Sequence, residues 1–218
     1  MFTSGAISIN RKVSASVLSL GLGGGYLNSY LHHNYRNLNI TVVEYDPQML
    51  NISQKWCGLR LDEMHRVVVE DGTEFVKNCA DRGEKYDVIF LDACHLDHSS
   101  MFICPAQKFV AAYIAIDFAS ILKSNAFILL VIEGVLIINV LGSRQQTFSE
   151  APKELLRIYN EAFKHCIFKK SHSPSNLVMT CAQYPIEKNL REMYEGFANY
   201  SYYGGHVSEE WFLPGYSY

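Results

Sequence analysis

The stretch VLSLGLGGGYLNSYL (residues 17–31) places Gly21, Gly23 and Gly25 between an apolar run and a helical pattern. Glycine lets the backbone turn tightly and come close to a ligand, because it carries no Cβ that could clash. An apolar run, a glycine-rich loop and a helix in this order are typical of the first strand, turn and helix of an α/β ligand-binding fold. The stretch therefore predicts a buried strand whose carboxyl end faces a ligand.

The rest of the chain alternates short apolar runs with helical patterns. The runs NITVVEYD, RVVVED, YDVIFLDA and GVLIINVL read as further strands, and two late runs, HCIFKK and NLVMTCAQ, read as strands as well. Near-continuous apolar strands that alternate with helices indicate a parallel sheet covered on both faces. We therefore predict an α/β fold with a doubly wound, mostly parallel sheet.

One predicted helix, in residues 107–124, carries an apolar pattern with i, i+3, i+4 spacing. This pattern predicts a buried face formed by Phe109, Ala112, Tyr113, Ile116 and Ser120.

Composition narrows the classes of partner. The formal net charge of the 218 residues is -3, and Lys and Arg are scattered, so the basic stripe that neutralises a phosphate backbone is missing. We expect no nucleic acid partner. The six cysteines lie apart in the sequence without a C-x-x-C pair, which favours reduced thiols in a cytoplasmic enzyme: Cys57, Cys79, Cys94, Cys104, Cys166 and Cys181.

The most apolar segment is AFILLVIEGVLIINVL (residues 126–141), which Glu133 and Gly134 interrupt. It is shorter than the ~20 residues that a membrane-spanning helix needs, so we expect a buried strand and no membrane contact. Residues 126–132 need a buried place as an extra strand or an extended strand, unless they arise from a mispredicted exon boundary.

Acidic residues follow three of the predicted strands: Glu44 ends the second, Asp71 with Gly72 follows the third, and Asp92 closes the fourth. Doubly wound sheets bind ligands beyond the carboxyl ends of their strands. A carboxylate after strand two can accept both hydroxyls of a ribose, and one after strand three can meet an adenine amino group. Each acid alone could merely cap the following helix. Together with the glycine loop, the acids favour a nucleoside site.

A dinucleotide such as NAD is one ligand for such a loop. The third glycine of the dinucleotide fingerprint would stand at position 26, where this chain has Tyr26. That glycine normally allows close packing of the helix against the strand over a pyrophosphate. The departure disfavours NAD and is compatible with S-adenosylmethionine, which has no pyrophosphate.

The stretches VLSLGLGGGYLNSYL, ITVVEYDPQMLNISQKWCGL, RVVVEDGTEFV and YDVIFLDA resemble successive motifs of class I S-adenosylmethionine-dependent methyltransferases. With CPAQKFV at residues 104–110, they resemble more narrowly the C-terminal domain of the translation elongation factor 1-alpha lysine and N-terminal methyltransferases, a family similar to spermidine synthases. The resemblance covers residues 17–183. It implies a Rossmann-like fold, S-adenosyl-L-methionine as cofactor, and a protein amine as methyl acceptor, either an N-terminus or a lysine of a translation factor.

The resemblance also assigns roles to individual residues. It places Gly21, Gly23 and Gly25 at the methionine part of the cofactor and Glu44 at its ribose, while Asp71 and Gly72 would meet its adenine. Asp92 and Ala93 would border the cleft where the methyl donor and the acceptor meet. As a catalytic residue, Asp92 would orient the acceptor amine, although it could equally cap the loop that follows through backbone N–H groups. Residues 1–184 would form this domain, and the aromatic-rich residues 185–218 an extension packed on or trailing from it.

Two other functions remain open. Spermidine synthases transfer an aminopropyl group from decarboxylated S-adenosylmethionine and hold the cationic amine with a paired Asp-Ser-Ser-Asp pattern, whereas this chain reads LDACHLDHSS with Asp92 and Asp97. A non-catalytic scaffold of the same fold is the second alternative, which the insertion at residues 126–132 favours and the intact strand-end acids disfavour.

The loop after strand four also contains residue types that bind metals: Cys94, His95, Asp97, His98 and Cys104. Their spacing does not match a regular tetrahedral site, and methyl transfer from a sulfonium needs no Lewis acid. We expect no metal.

Overall fold

The computed structural model describes residues 1–2, 4–8, 10–95, 99–124, 133–143, 150–170 and 176–186. The first half of the fold runs β1 (Ala15–Leu20), α1 (Tyr26–Asn34), β2 (Leu38–Glu44), α2 (Pro47–Trp56), β3 (His65–Val69), α3 (Gly72–Arg82) and β4 (Val88–Leu91). The second half runs β5 (Phe102–Cys104), a 3₁₀ helix (Gln107–Phe109), α4 (Ala112–Ile121), β6 (Val135–Gly142), α5 (Ala151–Tyr159), β7 (His165–Lys170) and β8 (Asn176–Ala182).

The strands form one sheet in the order β3-β2-β1-β4-β6-β8-β7. The first five strands in this order are parallel, while β8 runs antiparallel to β6 and β7 antiparallel to β8. The three-residue β5 pairs antiparallel with the carboxyl end of β6. The predicted doubly wound, mostly parallel sheet is therefore confirmed, with an antiparallel pair at one edge.

Successive residues of β1 point to opposite faces, as the period of a strand requires. Leu18 and Leu20 belong to the core shared with α3, α4 and α5, whereas Val17 belongs to the core that includes Leu31 of α1. Helices therefore cover both faces, and this burial on two sides explains why the central strands read as continuous apolar runs.

The predicted buried face of the fourth helix is wrong for Tyr113, Ile116 and Ser120, whereas Phe109 is buried. Tyr113 and Ile116 are 61% and 55% exposed, and the residues that face the core are Ile114, Ala115, Phe118 and Ile121. This helix carries apolar residues on more than one side, so spacing alone selected the wrong stripe. The regular helix also begins at Ala112, after the short 3₁₀ turn that contains Phe109.

The expectation of six reduced thiols is contradicted for four of the cysteines. Disulfides join Cys94 to Cys104 and Cys166 to Cys181, and the free thiols are Cys57 and Cys79. Cys166 and Cys181 are register partners on β7 and β8, while Cys104 ends the short β5 that pairs with β6. Pairing of β7 with β8 brings Cys166 to Cys181, and backbone hydrogen bonds between the segment after β4 and β5 bring Cys94 to Cys104. Sequence spacing did not reveal either contact.

Within the described ranges, no helix is long and apolar enough to cross a membrane. The prediction of a buried strand at residues 126–132 lies outside the described residues, as does most of the predicted extension 185–218. Ile186, which is described, packs in the core on the α1 side.

Candidate functional site

The carboxyl ends of β1, β2 and β4 meet at one edge of the sheet. The backbone N–H of Gly21 donates to the carbonyl of Val43 (2.8 Å), and that of Asp92 donates to the carbonyl of Leu20 (2.9 Å). β3 reaches the same edge, because the N–H of Glu70 donates to the carbonyl of Glu44 (3.0 Å). The sheet therefore brings together the strand ends that the sequence singled out.

At the first position of the glycine loop, Gly21, the backbone has a conformation that only glycine adopts without strain. Gly21 has φ +97°, and a Cβ there would lie 2.4 Å from the carbonyl oxygen of Asp92 and 3.1 Å from the N of Ala93. Gly23 has φ +50°, yet a Cβ on it would meet no atom within 4 Å. Gly21 is therefore required by the neighbouring strand end, whereas Gly23 borders open space in which a ligand can approach the backbone.

The glycine loop is held from a second direction by β2 and α2. Oε2 of Glu44 accepts a hydrogen bond from the N–H of Leu22 (2.9 Å), and Oε1 accepts one from the N–H of Asp46 (2.9 Å). The buried Ser53 of α2 donates from Oγ to the carbonyl of Gly23 (2.6 Å). These contacts fix the loop relative to the Glu44 carboxylate, and Asp46, not Glu44, caps α2.

Asp71 caps α3, which agrees with the alternative that an acid after a strand caps the following helix. Its Oδ1 accepts from the backbone N–H (2.9 Å) and the hydroxyl (2.7 Å) of Thr73, and its Oδ2 accepts from the ammonium of Lys108 (2.7 Å). Burial acts to raise the pKa of Asp71, but the hydrogen bonds from Lys108 and Thr73 outweigh it and lower that pKa to about 2. Asp71 is therefore an anion at neutral pH. Gly72 follows it, and a Cβ there would lie 3.0 Å from the ring of Phe109.

Asp92 lies exposed beyond β4, where the side chain of Asn139 on β6 reaches it. Nδ2 of Asn139 donates to Oδ1 of Asp92 (2.6 Å). Partial desolvation raises the pKa of Asp92, and the hydrogen bond from Asn139 acts against this rise. Oδ1 of Asn139 is buried and has no hydrogen-bond partner among the described residues. The site thus holds an ionisable carboxylate that a neutral amide of β6 positions.

Two residues of this edge were not predicted from the sequence. Asn139 is a lone polar side chain in the run VLIINVLG, and that interruption was the available signal. Lys108 gave no such signal, since one lysine in a mixed stretch has no special pattern.

The structure describes only some of the residues of metal-binding types in the loop after β4. The ligand atoms of Asp92, Cys94 and Cys104 lie within 4.8 Å of one another, but the two sulfurs are joined in the disulfide. Asp97 and His98 lie outside the described residues. The absence of a metal stays a prediction.

Comparison with known proteins gives the family. The profile of the family described as "Spermine/spermidine synthase domain" matches residues 8–178. The eEF1A lysine and N-terminal methyltransferase homolog of Drosophila melanogaster is 38% identical over 104 residues, which are 48% of this chain and 16% of that protein. The eEF1A lysine and N-terminal methyltransferase of Xenopus laevis is 30% identical over 168 residues, which are 77% of this chain and 22% of that protein.

Among solved structures, human methyltransferase-like protein 13 in complex with SAH superposes with a TM-score of 0.72 and 25% identity. The superposition covers 85% of this chain and 79% of that chain. The predicted Rossmann-like methyltransferase fold is confirmed. This chain spans about a fifth of the length of the curated relatives named above. It belongs to the spermine/spermidine synthase domain family.

Proposed function

We propose that this member of the spermine/spermidine synthase domain family is an S-adenosylmethionine-dependent methyltransferase that methylates a protein amine. One observation carries the proposal: a glycine loop, a ribose-type carboxylate and an acceptor-type carboxylate meet at a single edge of the sheet. The similar human protein, which was solved with SAH, supports the choice of cofactor.

The residues present fit this cofactor. The open space at Gly23 gives a charged amino-acid moiety access to the backbone of the loop, and Gly21 and Gly25 hold the turn that creates this space. Glu44 is fixed by two backbone donors, so the remaining lone pairs of this rigid carboxylate could accept from the hydroxyl groups of a ribose. Asp71, as an anion beside Gly72, offers an acceptor to an adenine amino group.

The chemistry is a direct displacement, for which S-adenosylmethionine supplies a methyl group on a sulfonium. The residues of this chain align the acceptor and exclude water, which can lower the barrier by several kcal/mol without a covalent enzyme intermediate. Asp92 accepts from Asn139 through Oδ1, so its other carboxylate oxygen, Oδ2, offers a hydrogen-bond acceptor to the N–H groups of an amine. Ala93, which follows Asp92 beside Gly21, would line the same cleft.

A neutral amine is needed for the attack. Deprotonating an α-amine with a pKa of about 7.7 to 8.0 costs about 1 to 1.4 kcal/mol at neutral pH, whereas a lysine with a pKa near 10.4 costs about 4.6 kcal/mol. Asp92 is a weak base, so an N-terminal amine demands less of this site. The names of the relatives include both N-terminal and lysine methylation of eEF1A. We therefore place a protein N-terminus first and a lysine second, with a translation factor as the substrate.

Aminopropyl transfer is the second candidate, because the family profile is that of spermine and spermidine synthases. A polyamine carries several charges and needs several placed acids. In the segment that follows β4, the structure describes one carboxylate, Asp92, while Asp97 lies outside the described residues. The pairing of Asp92 with a neutral amide favours a small amine acceptor. The intact strand-end acids disfavour a non-catalytic scaffold of the same fold.

The remaining predictions belong to the same proposal. The scattered basic residues make nucleic acid an unfavourable partner, and a cytoplasmic location suits a translation factor as substrate. This location no longer rests on the cysteines, because four of the six are joined in disulfides. Residues 1–184 are proposed as the catalytic domain, with residues 185–218 as an extension.

Isothermal calorimetry with S-adenosylmethionine, SAH, decarboxylated S-adenosylmethionine and NAD tests the proposal. We expect S-adenosylmethionine and SAH to bind more tightly than the decarboxylated compound, with no binding of NAD. Preference for the decarboxylated compound would favour aminopropyl transfer. Absence of all binding by a folded protein would favour the scaffold.

A further inference from the structure

Lys108 lies across the place where the adenine of the cofactor would sit. It is in the 3₁₀ helix, and its ammonium contacts Oδ2 of Asp71 at 2.7 Å. The same ammonium is 4.9 Å from the ring centroid of Tyr45 and 5.5 Å from that of Phe109. Lys108 therefore bridges Tyr45, which follows β2, and Asp71, which caps α3.

The proposed function, on which this inference rests, places the base of the cofactor next to this bridge. A ribose held by Glu44 puts its attached base towards the neighbouring strand β3, since Glu44 and Val69 are register partners. Tyr45 directly follows Glu44, and its 71% exposed ring offers a face on which a base can stack. Asp71 offers the acceptor for the amino group of the base. The ammonium of Lys108 contacts both of these partners.

The available space does not hold the base and the ammonium together. A flat base between the ammonium and the Tyr45 ring needs two stacking distances of about 3.5 Å, or roughly 7 Å in total. The observed separation is 4.9 Å. At Asp71, Oδ1 already accepts twice from Thr73, and Lys108 takes the other oxygen. A base that stacks on the face of the Tyr45 ring that the ammonium covers, and that donates to Asp71, must therefore displace the ammonium.

We propose that Lys108 and the adenine of the cofactor compete for Asp71 and Tyr45, so that Lys108 closes the base site of the free protein and helps to select the base. When the cofactor binds, the amino group of adenine replaces the ammonium as the donor to Asp71. A base without an N–H donor at this edge would leave the Asp71 carboxylate without its partner, which is costly. Lys108 is thus a specificity-determining residue that acts by exchange of hydrogen-bond donors.

Calorimetry with SAH on the Lys108→Met variant tests the competition. The variant keeps the length and apolar stem of the side chain but removes the ammonium. SAH no longer has to break a half-exposed ion pair when it binds to this variant. We therefore expect its binding to tighten about two- to fivefold. Adenosine, which lacks the amino-acid part, should gain by the same factor because the conflict involves only the base.

Lys123→Met is the matched control. Lys123 pairs with Asp87 at the same 2.7 Å and is 39% exposed, against 37% for Lys108, but Asp87 precedes β4 at the opposite edge of the sheet. We expect this variant to bind SAH like the parent. Within the Asp71→Asn background, Lys108→Met should tighten binding less, since the ion pair is already lost and only the contact with Tyr45 remains.

Equal or weaker SAH binding by a folded Lys108→Met variant would overturn the competition, as would a full gain that persists in the Asp71→Asn background. A gain of the same size in Lys123→Met would also overturn it, because the effect would then follow net charge. If neither the parent nor any variant binds SAH, the proposed function itself fails and the role of Lys108 falls with it.

Discussion

Asp92 is the residue on which the acceptor side of the proposal depends. Its carboxylate accepts from Nδ2 of Asn139, and no hydrogen bond from a described backbone N–H reaches it. The alternative that it caps the following loop stays open, because residues 96–98 of this loop lie outside the described residues. Asn139 was missed because a contact between β4 and β6 depends on their pairing in space, whereas the acid at the end of β4 could be seen in the sequence.

The Asp92→Asn variant should lower the rate of methyl transfer to an N-terminal peptide by about tenfold or more, because the ionised acceptor is lost. Affinity for SAH should stay unchanged. The ratio of the parent rate to the variant rate should fall at low pH, since protonation of Asp92, whose pKa is raised, has the same effect as the substitution, whereas protonation of the acceptor amine lowers both rates alike. Single-turnover rates with calorimetry on both proteins check this, and full activity of the variant would remove Asp92 from the mechanism.

The same substitution makes a prediction about stability. A raised pKa in the folded state means that ionised Asp92 destabilises the fold, and this cost appears as the pH rises from the ordinary value of 3.8 through the folded value. We therefore expect Asp92→Asn to melt at or above the temperature of the parent at pH 7. The difference should vanish near pH 3, where both proteins are neutral at this position. A lower melting temperature at pH 7 would show that the carboxylate stabilises the fold.

Glu44 combines a structural and a binding role at a single side chain. The Glu44→Ala variant should weaken SAH binding by about 1.5 to 3 kcal/mol through lost hydrogen bonds to a charged acceptor. Stability should fall as well, because the N–H groups of Leu22 and Asp46 lose their partner. Glu70→Ala is the control, since Glu70 also follows a strand but accepts from Asn78. Unchanged SAH affinity in Glu44→Ala would refute the assignment of the ribose site.

In the glycine loop, we expect substitution of Gly21 to affect mainly stability and substitution of Gly23 to affect mainly cofactor binding. Gly21→Ala should cost several kcal/mol of stability, because its Cβ would lie 2.4 Å from the carbonyl oxygen of Asp92 in a conformation that disfavours L residues. Gly23→Ala has room for its Cβ, so its stability should fall by only about 1 to 2 kcal/mol. SAH binding should suffer in Gly23→Ala because the methyl group fills the cradle. Thermal melting measures the stability of both variants, and calorimetry measures their SAH binding. An equal loss of stability in the two variants would refute this difference.

The first residue of β3 provides a pH prediction. His65 is fully buried, and burial together with the nearby His32 lowers its pKa. The unfolded chain then binds a proton that the folded chain resists, so stability should fall as the pH drops below about 6.5, by up to ~1.4 kcal/mol per pH unit. Denaturant unfolding between pH 5 and 8 measures this slope. His65→Gln should reduce it, and an unchanged slope would assign the effect to other groups.

Sequence patterns were sufficient where local chemistry determines structure. The strand ends, the glycine loop and the alternation of elements follow from short-range periodicity and turn chemistry, and the structure confirms them. The buried stripe of α4, the two disulfides and the contacts of Lys108 depend on which elements meet in space. A helix with apolar residues on several sides gives no unique stripe, and two cysteines at register positions of β7 and β8 give no local signal.

For the whole molecule, the order of the strands explains why one edge of the sheet has the function. The parallel strands β3, β2, β1, β4 and β6 all end at this edge, so residues from Gly21 to Asn139 meet there although they are far apart in the sequence. The chain covers about a fifth of its curated relatives, and the proposed activity is that of this domain.

The most direct measurement is the mass of eEF1A, and of its N-terminal peptide, after incubation with this protein and either S-adenosylmethionine or decarboxylated S-adenosylmethionine. We expect the substrate to gain methyl groups from S-adenosylmethionine, at the N-terminal amine first, and to gain nothing from the decarboxylated compound. Addition of an aminopropyl group, or an unmodified substrate in the presence of a protein that binds S-adenosylmethionine, would refute the proposed methyl transfer.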